Sequence, residues 1–244
     1  MKSIYIFVFM IGFSSCQSPN IHDYKYQIIQ SSSTISIDGI GNEDTWTKAK
    51  WLPIDQNWVG PDLSKEDFSG RFKLAWDQKF LYVLAEIVDD TLIDIHSDPL
   101  KAYWDDDCLE IFIDEDLSGG NHQYNHSAFA YHIGLDNNVA DIDTNQKPVL
   151  FNDHIESKRI SSGNKHTWEV AIKIFNEDFS ISKRNTPTRL TALKEMGFAI
   201  AYCDNDYSST RENFIGSEIV VGEDKNRGWI DAGIFGSLIL IPEK

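Results

Sequence analysis

Residues 71–88, Arg71-Phe72-Lys73-Leu74-Ala75-Trp76-Asp77-Gln78-Lys79-Phe80-Leu81-Tyr82-Val83-Leu84-Ala85-Glu86-Ile87-Val88, decide the fold class. Phe72, Leu74 and Trp76 alternate with Arg71, Lys73 and Ala75, so one face of an extended segment is apolar. Asp77-Gln78-Lys79 then separates it from a second apolar run of strand length, which predicts a β-hairpin. Working outward, the same pattern recurs. Upstream, Ser33-Thr34-Ile35-Ser36-Ile37 alternates up to a turn at Asp38-Gly39, and Glu43 to Lys50 is expected to form a short helix around Trp46 and Ala49. Downstream, Cys108 to Asp114 places Leu109, Ile111 and Ile113 on one face and Cys108, Glu110 and Phe112 on the other. Further strands are expected at 128–135, 155–161, 167–175, 197–203, 214–221 and 236–241, with loops rich in Gly, Asn and Asp between them. Leu190 to Met196 has room only for a turn or short helix between Pro187 and Gly197. Strands without alternating long helices predict an all-β fold, a single antiparallel β-sandwich of jelly-roll type over residues 28–244.

The chain has 244 residues, with 22 Lys+Arg against 38 Asp+Glu and a formal charge of −16. Such an acidic surface repels phosphate backbones and anionic headgroups, which excludes nucleic acid as a partner. A content of 12% aromatic and 25% charged residues belongs to a globular chain, not a disordered one. The N-terminus differs from the rest. Lys2 precedes an apolar run from Ile4 to Phe13, and Ser14-Ser15 are small residues just before Cys16. The run is shorter than the roughly twenty residues a spanning helix needs, so residues 1–16 are expected to be a lipoprotein signal with Cys16 lipidated, a plain secretory signal being the alternative. Residues 17–27 lack a period and are expected to form a tether. The protein is then exported and held to a bacterial membrane, periplasmic or cell-surface, by its lipid anchor alone. Cys108 and Cys203 lie in apolar runs and are expected as buried thiols, in a compartment that also permits a disulfide.

Among seven tryptophans, Trp76 and Trp168 fall within strand patterns, and Trp46 and Trp51 flank the short helix, so core packing is expected for them. Trp104 and Trp229 sit in polar loops just ahead of strands, where a large ring would otherwise be solvated. An indole face beside carboxylates and amides suits a sugar, which presents an apolar C–H face and a rim of hydroxyls. Trp58 is a weaker candidate of this kind. The acidic groups at Asp89-Asp90, Asp94, Asp105-Asp106-Asp107, Asp114-Glu115-Asp116, Asp141, Asp143 and Asp204-Asp206 are expected to be mainly solvated surface, with hard oxygen ligands for calcium as the alternative. Asp107 and Glu110 as a glycosidase pair would lie on opposite faces of a strand, which counts against catalysis. His122, His126 and His132 lack the helix that a His-x3-His zinc site needs. A Gly-x-Ser-x-Gly elbow is missing too.

Ile37-Asp38-Gly39 with Glu43 and Trp46, Leu74-Ala75-Trp76-Asp77, Leu81-Tyr82-Val83-Leu84-Ala85, and Trp104 leading into Asp107 to Asp114 occur here in a recognisable order. Trp168-Glu169-Val170-Ala171-Ile172, Gly197 to Ala201 ahead of Asp204, and Trp229-Ile230-Asp231 with Phe235 to Leu238 follow. Together they resemble carbohydrate-binding module family 9, within the DOMON-like β-sandwiches, across most of residues 34–241. The resemblance implies that Trp104 and Trp229 sandwich a sugar while Glu110 and Asn226 bind its hydroxyls. His132 stands where the family's studied sugar binders carry Arg. The resemblance also implies structural calcium, no organic cofactor, and a non-catalytic module that binds the ends of oligo- or polysaccharides beside separate glycoside hydrolases. Two alternatives remain: a haem-binding electron carrier of DOMON-like type with Met196 and His132 as axial ligands, and a sandwich that has lost its ligand and serves in a surface complex.

Overall fold

The computed structural model describes residues 23–243. The signal segment 1–16 with Cys16, and the tether as far as His22, lie outside the described residues. Tyr26 and Gln27, expected at the end of the tether, already belong to strand β1 (Tyr26–Gln30). Helix α1 (Asp44–Lys48) precedes β2 (Leu52–Ile54) and β3 (Gln56–Val59). The hairpin of β4 (Phe68–Trp76) and β5 (Leu81–Asp89) forms as its alternation requires, with Phe72 opposite Ala85 and Trp76 opposite Leu81. Then come β6 (Cys108–Asp114), β7 (Ala128–Gly134), β8 (Val139–Ile142), β9 (Pro148–Leu150), β10 (Ile155–Ser162) and β11 (Lys165–Ile172). β12 (Glu195–Asp204), β13 (Asn213–Gly216) and β14 (Gly236–Ile241) complete the set.

The strands hydrogen-bond in the order β10-β11-β5-β4-β1-β14-β12-β6-β7-β8-β9, with β2 on β4 and β13 between β12 and β3. The chain folds this ladder into two facing layers. Phe72, Leu74 and Trp76 of β4, Val83 of β5 and Trp168 and Val170 of β11 meet Leu109 and Ile111 of β6, Tyr131 of β7 and Phe198 and Ile200 of β12 in one buried core. Each such side chain contributes about 1.5–3 kcal/mol by leaving water. The sandwich is antiparallel except at β1, which pairs in parallel with both β4 and β14 and thereby joins the layers.

The outer faces are covered differently. On β4, β5 and β11, Ala75, Tyr82, Leu84 and Ala171 lie under Ile35, Trp46 and Ala49. Glu169, fully buried, fixes that cover: Trp46 Nε1–H donates to its Oε1 at 2.9 Å, and the Asp38 and Gly39 N–H groups donate to its Oε2 at 3.1 and 2.9 Å. Ser33 to Ile37 is not a strand, although Ile35 is buried as its alternation demands. The segment expected as a strand over 214–221 ends at Gly216. Trp58 packs there so closely that a Cβ on Gly216 would meet its ring at 2.1 Å. Residues 190–194 hold turns but no helix.

Candidate functional site

The outer face of β6, β7 and β12 carries Cys108, Glu110 and Phe112, Ala130 and His132, and Ala201 and Cys203, because every second residue points the same way. A cavity of about 260 Å³ opens on this face. Trp104, Trp229, Glu110, His132 and Asn226 all line it. The structure therefore brings together the residues singled out from sequence, from segments far apart in the chain. Tyr103, Tyr124 and Arg211 line it as well.

Glu110 is 2% exposed in mid-strand, with Oε2 3.2 Å from His132 Nε2. His132 Nδ1–H donates to the Ala130 carbonyl at 3.1 Å. Both neighbours are acceptors, so only the doubly protonated ring satisfies both. Burial pulls the His132 pKa down, but the Glu110 carboxylate outweighs it and the pKa is raised. Beside them Asp141 is pushed up to about 7 by burial, although it accepts N–H bonds from Ala130 and Ile142. The Tyr103 ring meets His132 edge-on at 4.8 Å and Trp104 at 5.0 Å.

Arg211 completes the floor. It donates to Cys203 Sγ at 3.1 Å and to Asn226 Oδ1 at 2.7 Å, with its guanidinium 4.1 Å over the Phe214 ring. By occupying the Asn226 oxygen it leaves that amide's N–H groups available to a ligand. The loop around Arg211 is polar and aperiodic, so only the tertiary fold reveals its place.

The walls are loops held by buried polar anchors. Trp104 is 41% exposed on the segment before β6. Asp106 clamps that segment by accepting from Ile95 N at 3.1 Å and His96 N at 3.0 Å. Trp229 ends a 3₁₀ turn, Arg227–Trp229. His122, which burial keeps neutral by lowering its pKa, donates through Nε2 to the Gly228 carbonyl at 2.7 Å and ties this turn to its neighbour. Ala102 and Tyr124 adopt φ of 52° and 61° in the wall loops, a left-handed conformation that side-chain residues take only when packing holds them there.

Trp58, the aspartates and Met196 depart from expectation, whereas the opposed Asp107 and Glu110, the separated histidines and the buried thiols accord with it. Trp58 is core, donating to the Glu218 carbonyl at 2.7 Å and packed on Phe214. Asp89, Asp106, Asp107, Asp114, Asp141, Asp143 and Asp204 are buried rather than solvated. Asp107 does not face Glu110. It lies with Asp89 and Asp204, their carboxylate oxygens within 4.8 Å of one another, and burial pushes Asp107 up to about 9 and Asp204 to about 8. Met196 lies in the inner core, on the opposite face of β12 from Cys203 and the cavity, so it does not share an axial site with His132. His126 stacks on Phe129 away from the cavity, so the three histidines do not converge. Cys108 and Cys203 face each other across β6 and β12 as free thiols.

An aromatic-walled cavity with a carboxylate, an imidazole, an amide and a guanidinium on a β-sandwich face defines a small-ligand-binding module. More particularly, the chain belongs to the carbohydrate family 9 binding domain-like family, whose model matches residues 37–243. The family consists of non-catalytic carbohydrate-binding modules, in keeping with the absence of enzymatic chemistry expected from sequence. A family 9 carbohydrate binding module from Caldicellulosiruptor kristjanssonii, solved with glucose, matches at a TM-score of 0.63 and 22% identity, covering 89% of this chain and 97% of that one. The same module with cellotriose matches at 0.62 and 22%, covering 89% and 95%. These likenesses establish the fold. Exoglucanase XynX of Acetivibrio thermocellus is 22% identical over 200 residues, 81% of this chain. Endo-1,4-beta-xylanase C of Paenibacillus barcinonensis is 33% identical over 101 residues, 41% of this chain. The chain spans 16% and 8% of the lengths of these two curated relatives.

Proposed function

We propose that the cavity binds the terminal sugar of an oligo- or polysaccharide, its ring faces against Trp104 and Trp229 and its hydroxyls on Glu110, His132 and Asn226. The observation that carries this is the convergence of these residues on one cavity, with an indole left 41% exposed at its mouth. Solved relatives with glucose and with cellotriose support the ligand class. Arg211 adds a fixed positive charge that can donate to a ring or hydroxyl oxygen. Calorimetry with glucose, cello- and xylo-oligosaccharides tests the proposal. Trp104→Ala and Trp229→Ala should each weaken binding by at least about tenfold, or 1.4 kcal/mol. Their thermal midpoints should match the parent; a variant that unfolds marks that Trp as core, and unaltered affinity removes it from the site.

The module would act beside separate glycoside hydrolases, a role supported by the exoglucanase and xylanase names of its curated relatives. Lipidation at Cys16 and attachment to a bacterial membrane rest on the sequence pattern and are tested by fatty-acid labelling, which Cys16→Ser should abolish. Structural calcium is also part of this proposal. Asp89, Asp107 and Asp204 suit it: twice a calcium–oxygen bond of 2.3–2.6 Å is about 5 Å, the greatest separation of two oxygens on one ion. Their oxygens lie within 4.8 Å of one another, inside that limit. A divalent ion there would neutralise carboxylates that burial otherwise forces to hold protons.

A further inference from the structure

Cys203 has no task in sugar binding, yet its surroundings are specific. Its Sγ lies 3.9 Å from Glu110 Oε2, which lies 3.2 Å from His132 Nε2. The three donor atoms, sulfur, oxygen and nitrogen, fall within 4.8 Å of one another, and all three residues are buried. They stand on adjacent strands: Glu110 pairs with His132 across β6 and β7, and Cys203 lies two residues beyond Ala201, the β12 partner of Glu110. Ladder hydrogen bonds therefore fix the backbone beneath all three.

We infer that Glu110, His132 and Cys203 form a three-ligand site for a divalent transition metal of the zinc class at the floor of the cavity. One carboxylate, one imidazole and one thiolate match the ligand preferences of zinc and not those of calcium or magnesium. Zinc bonds of about 2.0–2.3 Å in tetrahedral geometry set ligand atoms roughly 3.3–3.7 Å apart. The observed 3.2 and 3.9 Å differ from this by amounts that small side-chain rotations close. His132 is already oriented for the task, because its Nδ1–H is held by the Ala130 carbonyl and its Nε2 points into the group, the usual arrangement around a metal-bound imidazole. Arg211 donates to the Cys203 sulfur, which favours its thiolate. Glu110 and His132 line the cavity. A fourth coordination position would face that space, as at metal sites that also take up an exogenous ligand. The inference goes beyond the sugar reading. It places a cation where the metal-free site has a Glu110–His132 ion pair.

Cobalt(II) titration of the reduced protein, in buffer saturated with calcium to fill the acidic cluster, tests this. The expected result is one equivalent giving the visible bands of four-coordinate cobalt and a near-ultraviolet thiolate-to-cobalt charge-transfer band, both removed by zinc. Cys203→Ser should lose the charge-transfer band and weaken zinc by more than about 100-fold, beyond what loss of an outer partner costs. Cys108→Ser, which also prevents a disulfide with Cys203, should keep both. A six-coordinate cobalt spectrum in the parent, or a charge-transfer band that survives Cys203→Ser, overturns the site. Saccharide calorimetry on the metal-free protein separates the two readings: sugar binding without the cobalt bands refutes the metal site alone, and the bands without sugar binding refute the sugar site alone.

Discussion

His132 shows most directly what one residue changes at this site. Its raised pKa comes from Glu110 winning against burial, and Asp141, Cys203, Arg211 and Tyr103 are its other titratable or charged neighbours. A group whose folded pKa lies above its unfolded value, near 6.5 for histidine, contributes fully below that value and loses its contribution as pH rises through the folded pKa. Asp141, at about 7, ionises over neutral pH and helps to hold the His132 proton. Sugar affinity should therefore be sustained from acidic to neutral pH and fall on the alkaline side, together with the His132 imidazole resonance. His132→Arg should flatten the profile; a parent profile that is already flat across that range refutes the role. Glu169 provides a contrasting residue. Glu169→Ala leaves three donors, two of them buried, without their acceptor and should cost about 3 kcal/mol in urea unfolding while sugar affinity stays unchanged, since Glu169 lies on the opposite layer. The sequence exposes residues of the first kind when their chemistry conflicts with their place: a carboxylate mid-strand at Glu110, indoles in polar loops at Trp104 and Trp229. Arg211 shows no such conflict, because an arginine in a polar loop is what solvent alone would select. The buried aspartates escape for the same reason, since charge counting does not reveal which carboxylate caps a buried N–H.

At the scale of elements, β1 is the joint of the sandwich. It lies between β4 and β14, and Trp76 Nε1–H donates across it to the Ile28 and Ile241 carbonyls at 3.1 and 3.0 Å. Tyr26 donates to Glu218, a buried carboxylate that Lys25 also meets at 2.8 Å. Tyr26→Phe should cost about 1–2 kcal/mol in urea unfolding with the ladder intact, because one buried acceptor loses a donor. Deleting residues 23–30 should instead prevent folding, since it exposes two strand edges and opens the core; a cooperative unfolding transition in that variant would show that the layers hold without their joint. The joint is illegible locally: Tyr26-Gln27-Ile28-Ile29-Gln30 breaks alternation, and its partners are distant and parallel. Ser33 to Ile37 errs in the other direction. Its alternation correctly marks Ile35 as buried, but burial beneath a cover needs no ladder, so period alone does not make a strand. The β4–β5 hairpin was legible because its pairing is local and its turn is short.

For the whole molecule, the charge of −16 is unevenly placed, and the ends of β5 and β12 and the start of β6 concentrate it. Asp89, Asp107 and Asp204 form a buried group, and Asp67, Asp90 and Asp206 form a second, more exposed one. In the absence of a cation, Asp107 near 9 and Asp204 near 8 retain protons that the unfolded chain releases near pH 4. The native state then binds more protons than the unfolded state between those limits, so stability falls as pH rises across that window. A calcium ion on these oxygens removes the penalty by replacing the protons. The rise in thermal midpoint on adding calcium should accordingly be small near pH 5 and grow toward pH 8. The binding site should respond in parallel, because its loops hang from the same cluster. Asp107 accepts from Asn205 N at 2.8 Å, Asn205 donates to the Asp105 carbonyl at 2.7 Å, and Asp105 accepts from Arg211 N at 3.2 Å. Calcium removal by chelator should thus weaken sugar binding as well as lower the midpoint. Asp204→Asn, which keeps the shape but removes a charge, should reduce the calcium response while raising the midpoint in chelator. If midpoint and affinity are the same in calcium and in chelator at pH 8, the acidic group is held by protons alone.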